Sequence, residues 1–547
     1  MDNPLRRFAF STVIRREVPK PITRSHRTLE IIALVLLPVA LLVNLDAVNI
    51  FFGVDEATRA LVALEMDLRG EYLVPTINGV PYLNKPPLWN WMLLPFFSMF
   101  GYTEFALRLP MVLSLLFFAG LVYSFNRSFF GRRDALLLAL LLPTVGRILI
   151  WESFFGYIDI FFSAVVYVNF MVLWRQFRAQ QWLRLFAFSY ALTAVAFLLK
   201  GLPALVFQGI TLLTLFGWQR QEFRQLFRPA HFLGMLALLL PLGAYYFAYA
   251  REAALGPLFD QLWWESAQRS GIKHGLTNTL LQLVTFPFEM FYHYLPWTLF
   301  ALAFVRRGFV AELRAHPYLM YCSLVFLTNL FPYWTSPDVY PKYILMLVPL
   351  FLTIGFFFYR KYHTELPAHL AEIALVVLVG ALALGSCYLP FAPETAEVAG
   401  RYWKSALVIL SLVVLAVLMV RRKALRLIVA INALLVFRLA FDWFIYPPRG
   451  EKWLVHADNA ARVVALTEGE PLYYLDQTFV QHGHSYLITR GRGEIIYNHP
   501  KLYEYDTWYL TTDAVLEERE LIFQEFFRFP KTERNEDLVL VKLFPPG

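Results

Sequence analysis

The feature that most narrows the fold of this chain is a series of thirteen apolar runs, near residues 30–50, 108–126, 134–151, 158–174, 185–199, 202–218, 232–250, 287–305, 317–334, 342–359, 369–389, 404–420 and 424–445. A helix needs roughly 20 predominantly apolar residues to cross a bilayer, and hydrocarbon admits only structures that satisfy their own backbone hydrogen bonds. The runs predict a mostly α, polytopic membrane protein with about thirteen transmembrane helices. Only 16% of the residues are charged, where soluble domains carry roughly a quarter.

The remaining charges are sorted by side. Alternate connections carry Arg127, Arg132 and Arg133; Arg175, Arg178 and Arg184; Arg220, Arg224 and Arg228; Arg306, Arg307 and Arg314; Arg360 and Lys361; and Arg421, Arg422, Lys423 and Arg426. The positive-inside rule puts these loops, and the basic arm 1–29, in the cytoplasm. The net charge of +8 is thus an orientation signal, and no nucleic-acid partner is expected. The arm shows no cleavage pattern for a signal peptide. Cys322 and Cys387, the two cysteines, both lie in apolar surroundings and indicate neither a disulfide framework nor a cysteine zinc site.

An odd number of spans sends the tail outward, and three units are expected: the arm 1–29, a membrane domain 30–445, and a soluble α/β domain 446–547 on the outer face. In the last unit "PLYYLDQTFV", "SYLITRGRGEIIYN", "TWYLTT" and "DLVLVKLF" are β-rich runs, and "DAVLEERELIFQEFF" reads as a helix.

The first outer loop, 51–107, carries the most chemistry. In "GVDEATRALVALEMDLRGEY" the apolar Ala60, Leu61, Leu64 and Leu68 recur at helical spacing opposite Arg59, Glu65, Asp67 and Arg69. This predicts an amphipathic helix in the membrane interface with Asp55 at its N-cap. In "NGVPYLNKPPLWNW" the Asn-Gly pair predicts a turn, and Pro86–Pro87 open a second interfacial helix. Lys85 then stands at a helix N-terminus, where the macrodipole already favours an anion and an ammonium makes a phosphate seat.

Further polar groups fall at the outer ends of spans. Asp159 begins the fourth, Lys200 ends the fifth, Arg269 lies on the second long outer loop, and Lys342 and Tyr343 open the tenth. A carboxylate or ammonium there costs a few kcal/mol unless it meets a partner or a wet cavity. Their convergence on one face predicts a site for an anionic, amphiphilic ligand.

At these residues the chain resembles the integral-membrane GT-C glycosyltransferases, in the bacterial aminoarabinose-transferase-like branch related to protein O-mannosyltransferases. The resemblance rests on "DEATRALVALEM", "NGVPYLNKPPLWNW", "FGYTEFALRLP", "YIDIFF", "LLKGLPAL" and "YPKYILMLVPLFLTIG", and covers roughly 31–445. It implies transfer of a sugar, with inversion, from a polyprenyl-phosphate (undecaprenyl-phosphate) donor to a lipid, glycan or protein acceptor at the periplasmic face of the bacterial inner membrane. By the same resemblance Asp55 is the catalytic carboxylate and Asp159 fills the second acidic position. Lys85, Arg269 and Tyr343 hold the carrier phosphate, with Lys342, Arg59 and Lys200 as further cationic candidates. One departure stands out. The family's position three residues after the aspartate is often Arg or Tyr and here is Thr58, with Arg59 about 100° further around the helix.

The residue types suit that chemistry on their own terms. A phosphate leaving group has a second pKa near 6 and departs without a proton donor once cations neutralise it. One carboxylate across the sugar suffices to take a hydroxyl proton or to steady an oxocarbenium-like centre. No cofactor is required. A divalent metal on Asp55, Glu56 and Asp159 is the alternative, and His274 and His293 lack the close spacing of a zinc pair. A monomer among membrane lipids is expected. Competing readings are an outer-face polysaccharide ligase or polymerase, a secondary transporter, which predicts charges near mid-bilayer, and a non-catalytic lipid-binding protein.

Overall fold

The structure, a computed structural model, describes residues 24–47, 55–268, 271–475, 478, 480–499, 504–529 and 537–545. After α1 (Arg24–Leu42) come two outer helices, α2 (Asp55–Arg69) and α3 (Leu88–Phe100), joined by a hairpin of β1 (Thr76–Ile77) and β2 (Val80–Pro81). The bundle continues through α4 (Glu104–Phe130), α5 (Arg132–Leu141), α6 (Gly146–Ile150), α7 (Asp159–Arg178), α8 (Trp182–Lys200), α9 (Pro203–Trp218) and α10 (Pro229–Glu252). Next are α11 (Leu255–Gln268), α12 (Gly271–His293), α13 (Phe309–Ala315), α14 (Pro317–Trp334), α15 (Val348–Lys361), α16 (Leu366–Ser386), α17 (Arg401–Arg421) and α18 (Arg426–Phe444).

Within the described residues the predicted runs fall mainly on helical segments; α1 ends at Leu42, and residues 48–50 of the first run lie outside the described residues. Among the described residues, nine helices are long and apolar enough to cross a membrane. A tenth is counted if Arg132–Leu141 and Gly146–Phe154, bent by 53°, form one span. The other three runs differ for local reasons. α9 has 16 residues. The run 287–305 is divided between the end of α12 and a 3-10 helix at Trp297–Phe304. α14 carries Tyr318, Tyr321, Ser323, Asn329 and Tyr333 along its length. The protein is a multi-pass membrane protein.

Helix ends follow their sequence signals. Thr103 Oγ1 caps α4 by accepting from the Ala106 amide at 3.2 Å, and Gly131 ends that helix in a conformation with positive φ. The Asn-Gly turn is formed, with φ of 52° at Asn78 and 75° at Gly79.

The C-terminal part comprises α19 (Tyr446–Leu466), β3 (Leu472–Leu475), α20 (His482–Arg492), β4 (Asn498–His499), β5 (Trp508–Thr512), α21 (Asp513–Glu518), β6 (Ile522–Phe529) and β7 (Leu538–Phe544). Its sheet has the order β4-β3-β5-β7-β6, with β3 parallel to both β4 and β5, and β7 antiparallel to β5 and β6. Alternation along the strands feeds two cores. Leu472, Tyr474, Trp508, Leu510, Leu538 and Leu540 join the core of the helical bundle, whereas Leu475, Tyr509, Val539 and Val541 pack on Leu516 of α21.

Two local expectations are corrected here. The run "SYLITRGRGEIIYN" is mostly helix α20, because Tyr486, Leu487 and Ile488 are buried with His484 and Thr489 on a helix packed between α19 and α2. The run "DAVLEERELIFQEFF" is helical only to Glu518, and Ile522 onward forms β6, where strand pairing with β7 overrides helix propensity.

Candidate active site

The site is organised around α2. Its acidic first turn and its Arg69 near the end suit the helix dipole. The described helix starts at Asp55 itself, so Asp55 lies in the first turn rather than before it. Residues Glu56, Ala57 and Arg59 to Met66 are all buried, since α3, β1 and α20 pack against α2, so the polar Arg59 and Glu65 are covered while Asp67 and Arg69 stay exposed. Burying Leu61, Val62, Leu64 and Met66 contributes about 1.5–3 kcal/mol each. Glu65 is tolerated there because it accepts from Thr76 Oγ1 at 2.7 Å and from the Gly79 amide at 3.2 Å, which ties α2 to the hairpin.

Asp55 and Glu56 are neighbours with different surroundings. Glu56 is fully buried, and its carboxylate receives Arg108 Nε at 2.7 Å and Nη2 at 3.2 Å. The Gly156 amide also donates to it, at 2.9 Å. Arg108 in turn donates to the Leu45 and Ala47 carbonyls. Glu56, expected in the reaction, is instead a tie between α2, α4 and the turn before α7. Gly156 is required at that turn, because a Cβ there would lie 2.7 Å from the Leu107 carbonyl oxygen.

Asp55 faces the other way. Its side chain is 65% exposed, and Oδ2 accepts from Lys342 Nζ at 2.7 Å. Partial burial would raise its pKa, but Lys342 above all, with help from Arg59 and Lys85, outweighs this and holds the carboxyl at about 2. Lys342 Nζ stands 4.4 Å from the Tyr157 ring centre and 6.0 Å from that of Tyr343. On the other side of Tyr343, 4.4 Å from its ring centre, is Lys200 Nζ, which is ion-paired with Asp159. Asp55, Asp159, Lys200 and the adjacent pair Lys342–Tyr343, drawn from four separate segments, thus form one cluster.

The remaining candidates lie along the first loop. Arg59 is buried, donates to Tyr82 Oη and stacks 4.9 Å from that ring. Thr58 Oγ1 is 2.7 Å from His482 Nδ1, at the start of α20. Lys85 is ion-paired with Glu265 of α11 and donates to the Asn84 carbonyl at 3.1 Å. Arg269 lies outside the described residues. Sequence reasoning missed Tyr82, Tyr157, Glu265 and His482, and no spacing in the chain signals them, because each meets the site through a fold contact.

Asp55, Glu56 and Asp159, the carboxylates considered for a divalent ion, are ion-paired with Lys342, Arg108 and Lys200 respectively. Among the described residues no three His, Cys, Asp or Glu side chains are grouped to hold a metal.

Comparison with known proteins gives the fold a precedent. Residues 84–245 match the protein family described as dolichyl-phosphate-mannose-protein mannosyltransferase. An uncharacterized protein of Aquifex aeolicus (strain VF5) is 28% identical over 169 residues, 31% of this chain and 34% of that protein. An undecaprenyl phosphate-alpha-4-amino-4-deoxy-L-arabinose arabinosyl transferase of Shewanella sediminis (strain HAW-EB3) is 27% identical over 170 residues, 30% of this chain and 31% of that one. The chain thus spans about a third of the length of the curated relatives it matches. The crystal structure of ArnT from Cupriavidus metallidurans bound to undecaprenyl phosphate superposes with a TM-score of 0.62 at 16% identity, covering 94% of this chain and 97% of that one. Its apo state gives the same values. The fold is the ArnT-like GT-C fold.

Proposed function

We propose that this chain, built on the GT-C fold, is a glycosyltransferase that moves a sugar from a polyprenyl-phosphate carrier to an acceptor at the periplasmic face of the bacterial inner membrane, with inversion. The observation that carries the reading is the pairing of Asp55 with Lys342 beside Lys200, Arg59 and Lys85. A carboxylate and several fixed cations at one recess are what departure of a phosphate from an anomeric carbon requires. The relative from Cupriavidus metallidurans binds undecaprenyl phosphate, which supports the same carrier class here.

In this mechanism Lys85, Lys200, Lys342 and Tyr343, together with Arg269, hold the carrier phosphate. As its bond to the anomeric carbon breaks, the electron pair passes to the phosphate oxygen, whose second pKa near 6 removes the need for a general acid. The acceptor oxygen forms the new bond from the opposite face. Asp55 steadies the positive charge that develops on the sugar. A carboxyl held at about 2 is a weak base, because proton abstraction is most efficient when the base's pKa lies near the working pH. That favours an acceptor whose oxygen is already ionised, such as a phosphate group on a lipid, over a neutral hydroxyl. Transfer of 4-amino-4-deoxy-L-arabinose from undecaprenyl phosphate is a precedent by the name of one relative. Acceptor selection is assigned to the C-terminal part, and the contact of His482 with Thr58 supports this.

The test is turnover of purified protein with a labelled polyprenyl-phosphate sugar, followed by mass analysis of envelope lipids, glycans and proteins from a deletion strain. Release of polyprenyl phosphate together with loss of one sugar-modified species supports the reading. A protein that binds the carrier and never releases it in free form removes the enzyme assignment.

A further inference from the structure

We infer that Glu265 is a stand-in for the carrier phosphate, a carboxylate that occupies the Lys85 ammonium until the donor displaces it and reclaims it when the product leaves. This rests on the proposed function, and concerns a residue that neither the chain's motifs nor its resemblance singled out.

The pair is open to the solvent side where the Glu56–Arg108 tie is closed. Glu56–Arg108 is fully enclosed at 0% exposure of both side chains, whereas Lys85 and Glu265 remain 18% and 22% exposed, at the rim of the site. α11 does not depend on the pair for its seat. Leu258 and Leu262, one turn apart, are 6% and 5% exposed and pack with Val74 and Leu83, and Gln261 Nε2 donates to Asn84 Oδ1 at 2.8 Å. Glu265 follows on the same face at the next turn, so the helix delivers its carboxylate to Lys85 as a consequence of its packing. The opposite face bears Phe259, Trp263 and Trp264, 47%, 72% and 55% exposed, an apolar flank of the kind along which a lipid carrier's hydrocarbon would lie.

A carboxylate and a phosphate oxygen ask the same thing of an ammonium, a short charge-assisted hydrogen bond. The donor's phosphodiester carries one charge, as Glu265 does, and displaces it by adding the contacts of Lys200, Lys342 and Tyr343, while the monoester product, at about −1.5 to −2 charges, holds Lys85 more strongly still. Once displaced, Glu265 repels the anion it has yielded to. Its removal therefore tightens carrier binding and slows product release, lowering KM and kcat together. A purely structural pair gives the opposite, weaker binding as Lys85 loses its support.

The experiment uses the full chain in lipid nanodiscs with undecaprenyl phosphate as the probe, and steady-state kinetics with a labelled polyprenyl-phosphate sugar. Glu265→Gln is expected to bind the probe about fivefold tighter than the unaltered protein, the upper range for a partly exposed ion pair. It is also expected to show lower KM and lower kcat, and the gain is expected to vanish in a Lys85→Ala background. Glu265→Ala gives a second reading should the Gln variant fold poorly, because Leu258 and Leu262 still seat the helix. Binding by the unaltered protein with unchanged or weaker binding by both variants overturns the inference and leaves the proposed function standing. Failure of unaltered and variant proteins alike to bind the probe takes down both.

Discussion

Lys342 Nζ lies 2.7 Å from Asp55 Oδ2, although the two residues are 287 positions apart in the chain. The contact joins the start of α2 to the 3-10 segment Pro341–Leu347 before α15, and it sets the charge state of Asp55.

Because this contact fixes Asp55 as an anion, Asp55→Asn is expected to lower the transfer rate by about 10²–10³-fold, the range for removal of one electrostatic contact to the transition state. Carrier binding is expected to change little, since Lys85 remains. Single-turnover rates and a direct binding isotherm on the same variant separate the two effects. An Asn variant that turns over normally sinks the role given to Asp55.

The pH dependence follows from the sign of the shift. Asp55 falls from its ordinary 3.8 to about 2, so its contribution to stability is fully present above pH 4 and is lost only as pH falls towards 2. A profile of kcat/KM should therefore show no acid limb from Asp55 between about pH 4 and 8. Lys342→Ala removes the main opposing charge and leaves desolvation, so the limb should move to higher pH. An unchanged profile in that variant contradicts the pairing.

Lys85→Ala is expected to weaken binding of a polyprenyl phosphate by about ten- to a hundredfold, the equivalent of one charge-assisted hydrogen bond. Because the contact serves ground state and transition state alike, KM should rise more than kcat falls. Titration of the probe in nanodiscs against both proteins checks this.

Glu56 belongs to folding rather than to chemistry. Arg108→Ala leaves a buried carboxylate without its partner and is expected to destabilise the protein by about 3–5 kcal/mol. Glu56→Ala should cost a similar amount, and the double variant less than the sum. Thermal unfolding in detergent or nanodiscs reads all three, and a normal Tm for either single variant removes the structural role.

Gly156→Ala should destabilise by about 1–3 kcal/mol, because the added methyl meets the Leu107 carbonyl oxygen and pushes the turn that donates to Glu56. Unfolding measured beside Gly380→Ala, where a Cβ meets nothing within 4 Å, provides the control.

Much of this protein was legible in its residues. Apolar length, the alternation of basic loops, the Asn-Gly turn and the proline-led start of α3 are local signals, because each depends on a few neighbouring side chains and on the solvent around them. Local signals also misled where packing intervened. On the polar face of α2, Arg59 and Glu65 are buried by packed neighbours while Asp67 and Arg69 stay exposed, and the helical stretch after Asp513 yields at Ile522 to strand pairing with β7.

The sequence by itself determined that the chain spans a membrane many times and that acidic and basic residues collect at one end of the spans, since the cost of placing charge in hydrocarbon permits little else. Which carboxylate meets which cation was decided only by tertiary structure. Asp55 and Glu56 are adjacent and chemically alike, but 100° of helix rotation turns one towards Lys342 and the other into Arg108, and only the packed neighbours of α2 supply those partners.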